Sequence, residues 1–217
     1  MTRHSIPNLL GLFRIVTTPL LVLFILAGTT LGYIAAVILL LLMAISDIAD
    51  GRLARKFNVV SPLGVFLDTI SDKIFVAGAL IPMVQQELIS SWVVILIIGR
   101  DFAVSGLRSY AAAQGEVIPA RAWGKQKLTI IVIALIWRLV AAALVGAATA
   151  PFVLAFEGIS GPLLLLAQLA NAWPIPMALA LVWTIGSGIE YFWNARPMLV
   201  AHWSPQPASD APPSKSP

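Results

Sequence analysis

Asp47-Ile48-Ala49-Asp50-Gly51-Arg52-Leu53-Ala54-Arg55, followed after eight residues by Gly64 and then by Asp68 and Asp72, interrupts an otherwise oily chain. Four of the ten acidic residues fall within this one stretch. Asp47 and Asp50 are spaced i,i+3 and Asp68 and Asp72 i,i+4, so on helices each pair shares a face. Four anions crowded beside hydrocarbon repel one another and resist leaving water, so the cluster demands a cation. Oxygen-only ligands suit magnesium or manganese.

The composition around this stretch is that of a membrane protein. Of 217 residues, 59% are hydrophobic and only 11% charged, with a mean hydropathy of +0.91. Both apolar figures exceed those of ordinary soluble domains. Several uninterrupted apolar stretches approach the roughly 20 residues a helix needs to cross a bilayer. The expected fold is an all-α integral membrane protein with six transmembrane helices at about 9–27, 31–46, 64–84, 91–110, 128–148 and 175–193. Residues 150–174, broken by Gly and Pro, read as an interfacial or re-entrant segment. Residues 1–8 do not read as a cleavable signal, because Arg14 interrupts the apolar run that follows. Residues 1–203 form one expected transmembrane catalytic domain, and residues 204–217, rich in Pro and Ser, an expected disordered tail.

The basic residues alternate between connections. Arg3 and Arg14 lie at the start, Arg52, Arg55 and Lys56 after the second span, Arg108, Arg121, Lys125 and Lys127 around the fourth connection, and Arg196 after the last span. Residues 28–30, 85–90 and 146–174 contain no Lys or Arg. An even span count with every basic connection on one side places both termini in the cytoplasm. The net charge of +4 therefore follows membrane topology and implies no nucleic-acid partner. The chain has no Cys, which excludes a disulfide framework and thiolate chemistry.

Ionisable residues within membrane helices are functional candidates, and here Gly51, Ala54, Arg55 and Gly64 are interleaved with the four acids. Gly51 permits close approach of backbone to a ligand, and Arg55 can meet a phosphate with two parallel hydrogen bonds. Metal ligands beside an arginine and small residues suit a diphosphate substrate. Two divalent cations about 4 Å apart stabilise both the attacking and the leaving oxygen of a phosphoryl-type displacement.

The spacing Asp-x2-Asp-Gly-x2-Ala-Arg-x8-Gly-x3-Asp-x3-Asp resembles the signature of the CDP-alcohol phosphatidyltransferases, and residues 47–72 meet every fixed position. Further blocks resemble the branch of that family whose acceptor is glycerol 3-phosphate. They are Ile6-Pro7-Asn8-Leu9-Leu10 with Leu12-Phe13-Arg14, residues 99–108, residues 124–129, and Glu190-Tyr191-Phe192 with Arg196 beyond. Gly11 stands where that branch usually has Thr, and Thr69 and Ser71 replace its usual Pro and Ala. The resemblance implies a six-helix fold, a homodimer, and a metal site near the cytoplasmic face of the inner membrane. It implies CDP-diacylglycerol as donor, glycerol 3-phosphate as acceptor, phosphatidylglycerophosphate and CMP as products, and two magnesium or manganese ions. The implied metal ligands are Asp47, Asp50, Asp68 and Asp72, with Asp72 also the general base. Asp50, Gly51, Ala54, Arg55 and Gly64 are implied to hold the CDP-diacylglycerol. For the acceptor phosphate the candidates are Arg108, Lys125, Lys127 and Arg100, against the plainer reading of anchors to anionic headgroups. Arg100 has a nearer potential partner in Asp101.

Other functions compete with this one. The same chemistry with phosphatidylglycerol as acceptor would make cardiolipin. A cation or metal transporter would use intramembrane acids as an ion path, but these acids sit in one segment rather than on paired broken helices at the midplane. An intramembrane prenyltransferase would ordinarily carry two separated acidic motifs. Arg138, inside the fifth span, is expected to be structural, either snorkelling or paired with a buried acid. Trp92, Trp123, Trp173 and Trp203 near span ends read as an aromatic belt.

Overall fold

The computed structural model describes residues 6–57, 62–116, 118, 122–148 and 157–201. Those residues fold as seven helices with no strand among them: α1 (Ile6–Leu26), α2 (Thr30–Phe57), α3 (Pro62–Gln85), α4 (Ser91–Ala113), α5 (Ala122–Ala148), α6 (Glu157–Ala170) and α7 (Pro174–Ala201). The expected spans fall on α1 to α5 and α7. The broken segment at 150–174 contains a helix of its own, α6, with Pro162 inside it. Apolar surroundings offer backbone groups no water, so even a chain rich in Gly and Pro is driven to bond within itself. The proposed tail at 204–217 lies outside the described residues.

Among the described residues, four stretches are long and apolar enough to cross a membrane: Leu9–Leu26, Thr30–Ala49, Gln126–Ala147 and Leu165–Val200, the last running through α6 and α7. Helices α3 and α4 instead carry charges along their length: Asp68, Asp72 and Lys73 on one, Arg100, Asp101 and Arg108 on the other.

The six long helices close into a ring. α1 packs on α2 and α3, α3 on α4, α4 on α7, α7 on α5, and α5 on α2, while α3 touches α5 across the middle and α6 lies on α5 alone. Leu21, Leu40, Phe75, Leu80, Ile97, Ile131 and Leu135 fill the interior. Outside, Leu23, Ile45, Val182 and Ile189 are each more than 60% exposed. Large apolar side chains presented on every side are costly in water and natural against lipid.

Small residues let α1 and α3 approach closely. A Cβ placed on Gly78 would stand 2.2 Å from the Thr18 methyl group, so only glycine fits there. Thr18 is held in turn by its hydroxyl, which donates to the Arg14 carbonyl at 2.7 Å. At the other end of the molecule, Arg138 donates through Nε to the Leu88 carbonyl at 2.7 Å. Its guanidinium lies 4.6 Å from the centre of the Trp173 ring. Arg138 thus ties the α3–α4 and α6–α7 turns to α5 through a carbonyl and an aromatic face, where a buried acid had been one expectation.

Candidate active site

The motif residues sit on two helices that are consecutive in the chain. α2 runs on past its apolar part to Phe57 and carries Asp47, Asp50, Gly51, Ala54 and Arg55, whereas α3 carries Gly64, Asp68 and Asp72. Between them comes α1. Arg14 is completely buried, and its Nη1 donates to Asp47 Oδ1 and to Asp72 Oδ1, each at 2.5 Å. One guanidinium therefore joins three helices, and it resolves the repulsion that two carboxylates would otherwise suffer. The carboxylates themselves are open: the Asp47 side chain is 25% exposed and that of Asp72 32%. Ser46 and Ser71, each one position before an acid, are buried.

Beside this cluster lies a cleft of about 290 Å³ between α3 and the C-terminal half of α4. Thr69 contributes from α3, Ser105, Arg108, Ser109 and Ala112 from α4, and Glu116 and Ile118 from beyond it. Ser105 and Ser109 are one helical turn apart, flanking Arg108 on the same face. Glu116 is fixed by the way α4 ends. Gly115 takes a φ of +76°, and the Glu116 amide returns to the Ala111 carbonyl at 2.9 Å, a helix stop that glycine makes easily. The exposed Arg108 guanidinium and three hydroxyls give this cleft the donors a phosphate needs.

Two turns earlier on α4, Asp101 gathers two cations. Lys127 of α5 donates to its carboxylate, and Arg100 reaches the same oxygen at 3.3 Å. Arg100 also donates through Nη2 to Ser187 Oγ at 2.9 Å and lies 5.7 Å from the centre of the Tyr191 ring. The cluster joins α4 to α5 and α7. Arg100 and Lys127 are thus brought together by one acid, apart from Arg108, which stands eight positions and about 12 Å further along the helix.

Compared with known proteins, the chain matches the CDP-alcohol phosphatidyltransferase family over residues 4–185. It belongs to that family. A CDP-diacylglycerol--glycerol-3-phosphate 3-phosphatidyltransferase of Bacillus subtilis is 36% identical over 206 residues, covering 88% of this chain and 96% of the relative. Proteins of the same name from Escherichia coli K12 and Rickettsia bellii are 36% and 32% identical. They cover 63% and 61% of this chain and 78% and 73% of their own lengths. Family membership and the apolar exterior agree on a membrane protein.

CDP-alcohol phosphatidyltransferases are generally dependent on a divalent metal, and the geometry here suits one. Carboxylates from two helices already share a single cationic atom, both remain partly open, and every donor is oxygen. Among the described residues no set of three acidic or histidine side chains gathers at one point. The side chains of Asp50, Ala54, Arg55, Asp68 and Lys125, and the surroundings of Gly51, lie outside what the structure describes. Sequence reasoning assigned no role to Arg14, whose signals were a charge inside an apolar run and its place in the Leu12-Phe13-Arg14 block. It also missed Asp101 as the partner of Lys127, and the hydroxyls of Thr69, Ser105 and Ser109.

Proposed function

We propose that the protein transfers the phosphatidyl group of CDP-diacylglycerol to glycerol 3-phosphate, giving phosphatidylglycerophosphate and CMP. The observation that carries this reading is the relative of that activity that aligns along almost its whole length, joined to a family match that contains the complete acidic motif.

In this reading Asp47, Asp50, Asp68 and Asp72 hold two magnesium or manganese ions. When bound, the ions supply positive charge that neutralises the donor diphosphate. Gly51, Ala54, Arg55 and Gly64 hold the CDP portion beside Asp50. Asp72 takes the proton from the acceptor's primary hydroxyl. The freed oxygen forms a bond to the phosphorus bearing the diacylglycerol, the bond from that phosphorus to the bridging oxygen breaks, and CMP leaves. Arg108, exposed in the cleft beside Thr69, grips the acceptor phosphate, with Lys125 in the first turn of α5 assigned to the same phosphate. Lys127 and Arg100 add positive charge while remaining tied to Asp101.

The chain acts as a homodimer in the inner membrane, with six spans, both termini in the cytoplasm and the site facing that side. Purified protein in detergent, given CDP-diacylglycerol and radiolabelled glycerol 3-phosphate, tests the reaction. Label is expected in the lipid with equimolar release of CMP. CMP release with phosphatidylglycerol but not with glycerol 3-phosphate would replace the acceptor.

A further inference from the structure

Arg14 is the least accessible charged residue among those described, and it belongs to neither the acidic motif nor the acceptor cleft. Its burial is complete, whereas the Asp47 and Asp72 side chains that it bonds are a quarter and a third exposed. The guanidinium therefore lies beneath the acids, on the side of the protein interior, and the acids open away from it. It reaches them from a third helix, and the next turn of that helix is locked: Thr18 bonds the Arg14 carbonyl and abuts Gly78.

We propose that Arg14 is a positioning residue: its buried guanidinium forms the fixed floor on which Asp47 and Asp72 are held, presenting their open sides to the divalent ions. The inference rests on the metal reading above. A charged group behind a ligating carboxylate restricts its rotation and compensates its repulsion from its neighbours. Loss of such outer partners typically weakens metal binding by roughly 10- to 100-fold. Arginine suits the task because its guanidinium stays charged even when buried, and here its Nη1 meets both acids.

The full-length protein in detergent, stripped of metal, would be titrated with Mn2+ and the free ion read by electron paramagnetic resonance, alongside thermal unfolding. R14Q is expected to bind Mn2+ roughly 10- to 100-fold more weakly than wild type. R14K, which keeps the charge without the fork, is expected to lose less. Equal or tighter binding in R14Q overturns the proposal, since it would make the guanidinium a bystander or a competitor of the ions. A lowered Tm with unchanged Mn2+ affinity is the behaviour of a merely structural ion pair and also overturns it. If R14Q does not survive extraction, R14K carries the test, and affinity equal to or tighter than wild type in that variant sinks the idea. Wild type that binds no Mn2+ ends the metal reading itself, an outcome separate from all of these.

Discussion

Asp72 and Asp47 hydrogen-bond the same nitrogen, yet they are expected to differ in function because only Asp72 is assigned the proton. Asp68→Ala and Asp72→Ala should each abolish measurable transfer. Loss of a general base alone costs roughly 10²- to 10⁴-fold, and loss of a metal ligand adds to it. Both variants should elute as wild type does and keep its helical circular dichroism, because Arg14 retains Asp47. Wild-type turnover in either variant contradicts the assignment. Arg108 is expected to act on one substrate only. A hydrogen bond to a charged group is worth about 1.5–3 kcal/mol, so Arg108→Ala should raise the KM for glycerol 3-phosphate roughly 10- to 150-fold. The KM for CDP-diacylglycerol should stay within about twofold by the same reasoning, because the donor's charges lie elsewhere. Equal effects on both substrates remove Arg108 from the acceptor pocket. The acids were legible in the sequence because their spacing is local. Arg14 was not, because its partners stand 33 and 58 positions away and only folding brings them within reach.

At the scale of helices, two contacts decide how the site is framed. Asp101 is the shared acid between Arg100 and Lys127, so Asp101→Asn leaves two largely buried cations without their counter-charge. Breaking a buried pair in this way costs about 3–5 kcal/mol, read as a large drop in Tm in detergent. If Lys127 works mainly as an acceptor ligand, the same substitution would leave Tm nearly unchanged and alter only the acceptor KM. The α1–α3 contact is steric. Gly78→Ala places a methyl within 2.2 Å of Thr18, and overpacking of this kind costs about 1–3 kcal/mol. Thr18→Ala, combined with it, should recover most of the loss, whereas additive losses would show that the two positions do not touch. Apolar runs located the long helices to within a few residues at most ends. The apolar part of α2 ends at Ser46, where hydropathy falls, and the helix runs on through the acidic motif, as expected, to Phe57. Apolar runs undervalued α6, since Gly158, Gly161 and Pro162 are breakers in water and less so where the backbone must satisfy itself.

Among the described residues six long helices form a ring with α6 against α5, and the Arg14–Asp47–Asp72 and Arg100–Asp101–Lys127 groups tie that ring together. The α3–α4 turn and the segment before α7 carry no Lys or Arg, while Arg108 near the end of α4, Arg121 just before α5, and Lys125 and Lys127 in the first turns of α5 cluster around the α4–α5 junction. That asymmetry was readable from sequence alone, because it depends on counting charges and not on knowing contacts. It carries a test of orientation that the chain makes easy: with no Cys of its own, any introduced cysteine is the single target for a maleimide. Gln114, just past α4, and Asn171, in the turn before α7, are both exposed. Between them, the one long apolar helix among the described residues is α5, whose 27 residues extend about 40 Å, enough to cross a hydrocarbon core of about 30 Å. A crossing by α5 is expected to put the two positions on opposite faces. A membrane-impermeant maleimide should label Asn171→Cys in intact spheroplasts and Gln114→Cys only in inverted vesicles. The reverse pattern would keep the crossing and overturn the orientation, placing the acids and Arg108 outside. Labelling of both positions from one face would mean that α5 does not traverse the bilayer, and the six-span arrangement would fail with it.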